Sequence, residues 1–245
     1  MPVGQHRLTI LAGAGSKGFT MSLLQSIRTV IAPPHKAATP FLALTGLVTL
    51  IGRATPWRAT RWVGHVGLAG LAFCLYFFRD PKRVPPARAN LALAPADGHV
   101  TSVELATPPA ALDMGDQPVW RVATFLSVLD VHINRMPSKG IVTRVAYHAG
   151  QFINASLDKA SDLNERNEVR LTLDDGRHMA IVQIAGLIAR RIVCYAEEGS
   201  RFEPGERFGL IRFGSRTDLY LPHGVTPLVS VGQKMVGGET VIAEL

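Results

Sequence analysis

Gly209-Leu-Ile-Arg-Phe-Gly-Ser-Arg-Thr-Asp-Leu-Tyr-Leu-Pro222 is the stretch from which the rest of the chain is read. Leu210 to Phe213 is a β-type run, Thr217 to Leu221 alternates, and Gly214-Ser215-Arg216 joins the two. On its own a Gly-Ser pair is a common turn dipeptide. It also sets a serine hydroxyl beside a glycine carbonyl, so Oγ of Ser215 can attack Gly214 and convert the peptide bond to an ester. Glycine favours the attack because it has no Cβ in the way and accepts strained backbone angles. Loss of the serine α-proton would then break the ester by elimination. Hydrolysis of the resulting dehydroalanine would leave a pyruvoyl group on the new amino terminus.

The chain has 245 residues, enough for one large domain or two small ones with a sizeable core. A hydrophobic content of 47% with 18% charged residues is globular, tilted toward membrane association. Cys74 and Cys194 have neither metal nor redox spacing, which fits a reducing compartment. No His/Cys cluster supports a metal. The net charge of +7 is unevenly spread: residues 1–88 carry 11 Lys/Arg against one acid, Asp80, while residues 89–245 carry 15 against 18. Basic residues concentrated beside apolar segments suit an anionic membrane surface, and no nucleic-acid motif accompanies them.

The apolar segments lie in the first third. Leu8 to Gly15 is too short to be a signal-peptide core, and Met21 is an alternative start. Leu23, Leu24, Ile27, Val30 and Ile31 have helical spacing and predict a short amphipathic surface helix ending at Pro33-Pro34. Phe41 to Ile51 is an eleven-residue apolar run, and Trp62 to Phe78 is seventeen residues without Asp, Glu, Lys or Arg. A spanning helix needs about 20 residues. Trp57, Trp62, Tyr76, Phe77 and Phe78 sit near the ends, as interfacial aromatics do. A buried hairpin in a soluble domain is the alternative. Arg79, Lys82, Arg83 and Arg88 place the downstream domain in the cytoplasm, but a two-span hairpin would export Arg53, Arg58 and Arg61. A re-entrant or in-plane hairpin avoids that conflict. The predicted organisation is therefore residues 1–36 as an N-terminal segment, 37–80 as a membrane-associated helical region, and 81–245 as a β-rich catalytic domain. The boundary falls at the helix-breaking run from Asp80-Pro81 to Pro85-Pro86.

Downstream the period changes to alternation, predicting strands at His99–Leu105, Val119–Phe125, Ile141–Tyr147, Val169–Leu173, Met179–Ile184 and Ile188–Tyr195. Asp174-Asp175-Gly176 marks a hairpin. Gly199-x-x-Phe202-x-x-Gly205-Glu206 recurs 33 residues later as Gly232-x-x-Met235-x-x-Gly238-Glu239. Such turns punctuate compact sandwiches of the lipoyl-domain kind. The fold class is α+β, mainly β, with a β-sandwich or barrel-like catalytic domain carrying lipoyl-like elements behind N-terminal apolar helices.

Glu206 to Pro222 resembles the processing site of phosphatidylserine decarboxylases. Gly-Ser-Arg resembles that of their short, archaeal-type branch, since the longer branch carries Gly-Ser-Ser or Gly-Ser-Thr. Phe77-Phe-Arg-Asp-Pro81, Ala94-Pro-Ala-Asp-Gly98, Asp130-Val-His-Ile-Asn-Arg-Met-Pro137, Asn164-Glu-Arg-Asn167, Gln183-Ile-Ala-Gly186 and Ile188-Ala-Arg-Arg-Ile192 resemble further family segments in the family's order. The resemblance runs from about residue 77 to the end. It implies autocatalytic cleavage between Gly214 and Ser215 into a large β chain, 1–214, and a small α chain, 215–245. These would remain together as a heterodimer, with a higher oligomer open. It also implies a covalent pyruvoyl cofactor made from Ser215 and decarboxylation of phosphatidylserine to phosphatidylethanolamine through a Schiff base.

Each site residue has a role under this resemblance and a bland alternative. Asp97 matches the aspartate assigned to self-processing, where a carboxylate would orient a histidine base; before Gly98 it is also an ordinary turn residue. His132 matches the first histidine of the family motif and suits proton transfer near neutral pH; it can equally be a satisfied core histidine. In the longer branch a second histidine follows where this chain has Arg135, and arginine cannot act as a base. Either His132 serves both processing and turnover, or cleavage relies on strain and oxyanion stabilisation at Gly214; the first is favoured. Arg135 and Arg216 are candidates for the substrate phosphate or carboxylate, with a solvated surface role as alternative.

Pyridoxal phosphate would need a lysine anchor in a binding fold. Lys139, Lys159 and Lys234 are few and lie in no phosphate-cradling motif. The expected partner is phosphatidylserine in an anionic membrane, with the protein peripheral or monotopic at the cell membrane. The competing functions are a pyruvoyl decarboxylase of a soluble amino acid and a non-enzymatic, membrane-anchored β-sandwich adaptor.

Overall fold

The computed structural model describes residues 32–150, 164–186, 191–212 and 214–245. The expected amphipathic helix before Pro33 and the Met21 start lie outside them, as does the beginning of the strand expected from Ile188. Residues Pro33–Leu245 form one compact unit.

The two apolar runs become an antiparallel hairpin of helices, α1 (Thr39–Ala54) and α2 (Arg58–Phe77). Pro40 sits in the first turn of α1, where its missing N–H costs nothing. The helices meet through small residues: Thr49 and Gly52 on α1 against Gly64 and Gly67 on α2. A Cβ at Gly67 would stand 2.7 Å from the Thr49 nitrogen, so the close approach requires glycine there. Leu44, Leu47, Leu50 and Ile51 on α1 and Val63, Val66, Leu68, Phe73 and Leu75 on α2 point outward. The base of the hairpin is fastened to the β-domain. Phe77, Phe78, Val131, Ile133 and Leu210 form a buried cluster, and the incoming and outgoing chains are tied by His35 N–H to Phe78 O (2.7 Å) and Asp80 N–H to Pro33 O (2.8 Å).

Thirteen strands follow: β1 (Leu91–Leu93), β2 (Gly98–Ala106), β3 (Val119–Leu126), β4 (Ile133–Arg135), β5 (Gly140–His148), β6 (Arg166–Thr172), β7 (His178–Ala185), β8 (Ile192–Cys194), β9 (Arg201–Phe202), β10 (Arg207–Ile211), β11 (Ser215–Tyr220), β12 (Lys234–Met235) and β13 (Val241–Glu244). Eight make one antiparallel sheet in the order β12-β2-β3-β11-β7-β6-β5-β9; β4-β10-β8 and β1-β13 make two small ones. β6 and β7 are the hairpin expected around Asp174-Asp175-Gly176, with Gly176 at φ +85°.

The large sheet is a duplication. Read from its two edges the order pairs β12 with β9, β2 with β5, β3 with β6 and β11 with β7. β2 and β5 are both nine residues long, begin with glycine and carry a bulge two residues later, after Val100 and after Val142. Ala94-Pro-Ala-Asp-Gly98 leads into one and Met136-Pro-Ser-Lys-Gly140 into the other. The small sheets repeat the relation: β1 pairs with β13 as β4 pairs with β10. The sequence repeat is the trace of this symmetry, because each copy contributes one short edge strand, and Phe202 and Met235 enter the same core.

That core lies between one face of the large sheet (Val122, Val169, Leu171, Ile181, Leu219) and the small sheets (Ala92, Phe208, Ile242). The opposite face buries Leu112, Ala180, Val182, Ile184 and Tyr220. Among the described residues the sheet stays open at β12 and β9, so the barrel-like expectation gives way to a mixed α+β domain with one large antiparallel sheet.

Candidate active site

The junction quoted at the outset is not a hairpin. β10 belongs to a small sheet, with β4 and β8, while β11 runs through the middle of the large one between β3 and β7. Gly214 is the point where the chain passes from one layer to the other. It does so with φ +70°, in the left-handed region where a side chain is strained. Ser215 follows as the first residue of β11, paired with Leu126 on one side and Ala185 on the other. Its side chain is fully buried, and among the described residues Oγ has no hydrogen-bond partner.

His132 stands directly before β4, under this junction. Its Nδ1 lies 3.0 Å from the carbonyl oxygen of Asp130, and its Nε2 lies 3.2 Å from the N–H of Gly214. A carbonyl only accepts and a peptide N–H only donates, so the two contacts together fix one neutral tautomer: Nδ1 carries the proton and Nε2 presents a lone pair. Burial reinforces this, lowering the imidazole pKa to about 4, with the Asp130 carbonyl and carboxylate opposing. The turn that sets the ring is itself pinned, because the Asp130 carboxylate accepts from Ser127 N–H (2.9 Å) and Ser127 Oγ (2.7 Å). Phe77 covers the ring, with centroids 4.3 Å apart, which brings the base of the membrane hairpin against the histidine.

Ser215 and Thr217 share the sheet face that looks toward this histidine, and Thr217 pairs with Thr124 and Gln183. Behind them Gln183 Nε2 donates to Asn134 Oδ1 (2.8 Å) and Asn167 Nδ2 donates to Gln183 Oε1 (3.0 Å). Oγ of Ser215, Oγ1 of Thr217, Oγ1 of Thr124 and Nδ2 of Asn134 are buried with no partner among the described residues. Burying a polar atom unpaired costs about 1–3 kcal/mol, so four together mark a place that fits a polar group produced or received there.

Three expected residues are placed differently. Asp97 does not reach His132. Its carboxylate accepts from Arg83 Nη2 (2.7 Å) and from Gly237 N–H (2.8 Å), and β3 separates it from Ser215, roughly 10 Å by strand spacing. Burial raises the Asp97 pKa, against the pull of Arg83. The orienting contact to His132 comes instead from the Asp130 main chain, which sequence alone does not disclose. Arg135, expected on the substrate, is a buried clasp: it donates to Gly205 O (2.9 Å) and Pro81 O (2.9 Å) and pairs with Asp80 (3.3 Å). Its guanidinium is spent on holding the linker against β10. Arg216 points to the opposite face of the sheet from Ser215 and is locked on Asp218 through two contacts, 2.6 and 2.8 Å. Neither arginine faces the serine because β pairing sends alternate side chains to opposite faces. Phe77 is marked in the sequence only as an interfacial aromatic at the start of a family-like segment, Asn134 is an amide in an apolar alternation, and Ser127 carries no sequence signal for a place at the site.

The phosphatidylserine decarboxylase family model matches residues 71–243, well over half the chain. Among curated proteins, the phosphatidylserine decarboxylase proenzyme of Gluconobacter oxydans is 72% identical over 225 residues, covering 92% of this chain and 100% of that one. The proenzyme of Granulibacter bethesdensis is 59% identical, with 97% and 96% covered, and that of Mycobacterium leprae 48% identical, with 94% and 96% covered. These relatives are bacterial, which replaces the archaeal label expected from the Gly-Ser-Arg sequence. Fold, site and matches define the class: an enzyme, a pyruvoyl-dependent lyase. The chain belongs to the phosphatidylserine decarboxylase family.

Proposed function

We propose that the chain cuts itself between Gly214 and Ser215, that Ser215 becomes the pyruvoyl group, and that His132 is the base and acid of the site. The observation that carries this reading is the junction: a left-handed glycine whose N–H meets the lone pair of a neutral histidine, followed by a buried hydroxyl without a partner among the described residues. Ser215 Oγ–H attacks the Gly214 carbonyl. The C–N bond breaks, the proton passes to the freed amine, and an ester joins the residues. A base then takes the Ser215 α-proton and the C–Oγ bond breaks, releasing Gly214 as a carboxylate. Water converts the amino-terminal dehydroalanine, through its imine, to a pyruvoyl group still amide-linked to Arg216, with loss of ammonia. His132 Nε2 is the lone pair next to this junction, and its 3.2 Å contact is long enough to be exchanged for a hydroxyl.

The activity is decarboxylation of phosphatidylserine to phosphatidylethanolamine. Once formed, the pyruvoyl carbonyl supplies the electron sink that loss of CO₂ from an amino acid requires. The residues of this chain do the rest. Thr217, Thr124 and Asn134 offer polar atoms to the head group, His132 returns a proton to the former α-carbon, and Phe77 shields the site from water on the hairpin side. Asp97 acts from a distance, holding the Arg83–Gly237 corner. A soluble amino acid would have no use for an apolar hairpin rooted against the catalytic histidine; a lipid does. The short branch, in bacterial form, is the finer assignment: the relatives are covered over nearly their whole length, so they share this chain's size. The catalytic domain faces the cytoplasm, on the side of Lys82, Arg83 and Arg88.

Intact mass under denaturing conditions tests the proposal. The purified protein should separate into chains 1–214 and 215–245, the second beginning with a keto group, and Ser215→Ala should remain whole and inactive on phosphatidylserine vesicles. A single uncut chain, or a free serine amine at the second terminus, would refute it.

A further inference from the structure

The hairpin raises a question that its apolar composition does not answer: how far into a bilayer it goes. A helix lying in the membrane plane keeps one polar face toward water. Neither helix has one. From Phe41 to Gly52 and from Val66 to Leu75 every residue is apolar, glycine or threonine, and the exposed side chains lie all round the pair. The threonines do not need water either, since Thr45 and Thr49 hydroxyls return to the carbonyls of Phe41 and Thr45 at 2.7 Å. Contact through Gly52, Gly64, Gly67 and Thr49 is the packing that helices use inside lipid, where close van der Waals fit replaces the hydrophobic effect.

Both ends of the hairpin are basic. At the base stand Lys36, Arg79, Lys82, Arg83 and Arg88; at the tip stand Arg53, Arg58 and Arg61, with Trp57 and Trp62 beside them. From Lys36 to Arg53 and from Arg61 to Arg79 the helical rise amounts to about 25–27 Å. The hydrocarbon core of a bilayer is about 30 Å thick, and about 27 Å in thin membranes. Arginine stems cover the remaining few ångströms by snorkelling. At the tip Arg53, Arg61 and His65 line one recess of about 260 Å³. No Asp or Glu occurs between Lys36 and Arg79, so the charge of this recess has no acid nearby in sequence.

We infer that the hairpin crosses the whole bilayer and sets the Arg53–Arg61–His65 recess against the lipid phosphates of the far leaflet. The five basic residues at the base still outnumber the three arginines at the tip, so the charge bias keeps the catalytic domain inside. The inference rests on the proposed lipid enzyme only for its orientation.

Cysteines introduced one at a time read the topology in the full-length protein once Cys74 and Cys194 are replaced by serine. Thr55→Cys, in the turn between the helices, should react with a membrane-impermeant maleimide in intact cells. Lys82→Cys, at the base, should react only in inverted membranes. Labelling of Thr55→Cys from the inner side only, or from neither side, would overturn the crossing. Intact mass and turnover of the same Thr55→Cys membranes keep the two readings apart: a cut, active protein unlabelled from outside refutes the span alone, and an uncut protein labelled from outside refutes the enzyme alone. For the recess, the melting temperature should be higher in a phosphocholine detergent than in a maltoside of equal chain length. Arg53→Ser with Arg61→Ser should remove at least half of that difference; an unchanged difference would overturn phosphate binding at the tip.

Discussion

His132 is held as a neutral base by geometry before any substrate arrives. The Asp130 carbonyl fixes the proton on Nδ1, burial keeps a second proton off, and the lone pair of Nε2 faces the Gly214 N–H at the proposed cleavage junction. Protonation removes the lone pair, so the rate of self-cleavage falls as pH drops through the folded-state value of about 4, and not near the ordinary 6.5. Cleavage of freshly translated chain, followed on gels from pH 7 to pH 4, should be flat down to about pH 5; a midpoint near 6.5 would remove His132 as the base. Gly214 permits a second test. Open space surrounds the position a Cβ would take, with Val128 Cγ2 4.0 Å away, so Gly214→Ala carries backbone strain without a clash. It should fold, lose about 1 kcal/mol in urea unfolding of the uncut chain, and cleave more slowly than Gly214→Asn, which tolerates the left-handed region better.

At the scale of elements, alternation predicted most long strands closely, because one face of the large sheet is a core and period two records it. Pairing left no such record. Leu210–Phe213 and Thr217–Leu221 read as neighbours, yet β10 and β11 enter different sheets. A run of alternating residues reports which faces are buried but not which strand lies beside it. The three-residue strands β1 and β4 are too short for any period, and β4 carries the residues next to His132, whereas β8 falls inside the run expected from Ile188 to Tyr195. Arg135 shows the same limit: its position in the motif suggested chemistry, while the fold uses it to clasp Pro81 and Gly205. Arg135→His, made with Ser215→Ala to keep the chain whole, leaves two carbonyls without their donor. It should lower unfolding free energy by about 2 kcal/mol; a stable variant would argue that the clasp is dispensable. The faint repeat was more informative than its length suggested, since it marks the two edges of a duplicated sheet. Of the two equivalent corners, one holds Asp97 and the other Lys139, so the duplication itself has been put to unequal use.

For the molecule as a whole, the proposed cut would change covalent structure far more than folding. β11 is paired on both sides over six residues, and β12 and β13 tie the remainder of chain 215–245 to β2 and β1. Leu219, Leu221, Val225, Met235 and Ile242 are all in the main core. The small chain should therefore co-elute with the large one in size-exclusion chromatography and separate only in denaturant; its release under native conditions would contradict this packing. The other side of the cut is held differently, with Arg212 over the ring of Phe41 at the base of the hairpin, 5.3 Å from its centroid.

The seal over Ser215 has a consequence for the order of events. An ester in water can simply hydrolyse, and that would leave an ordinary serine terminus and a protein spoiled for good. With Ser215 fully buried, the proposed ester would survive until elimination wins. The next stage demands the reverse, because the alkene must meet water to become a ketone. A break at Gly214 would loosen the junction that buries Oγ, so dryness and wetness would follow one another without any separate gate. On the proposed chemistry the polypeptide would time its own irreversible steps by the damage those steps do.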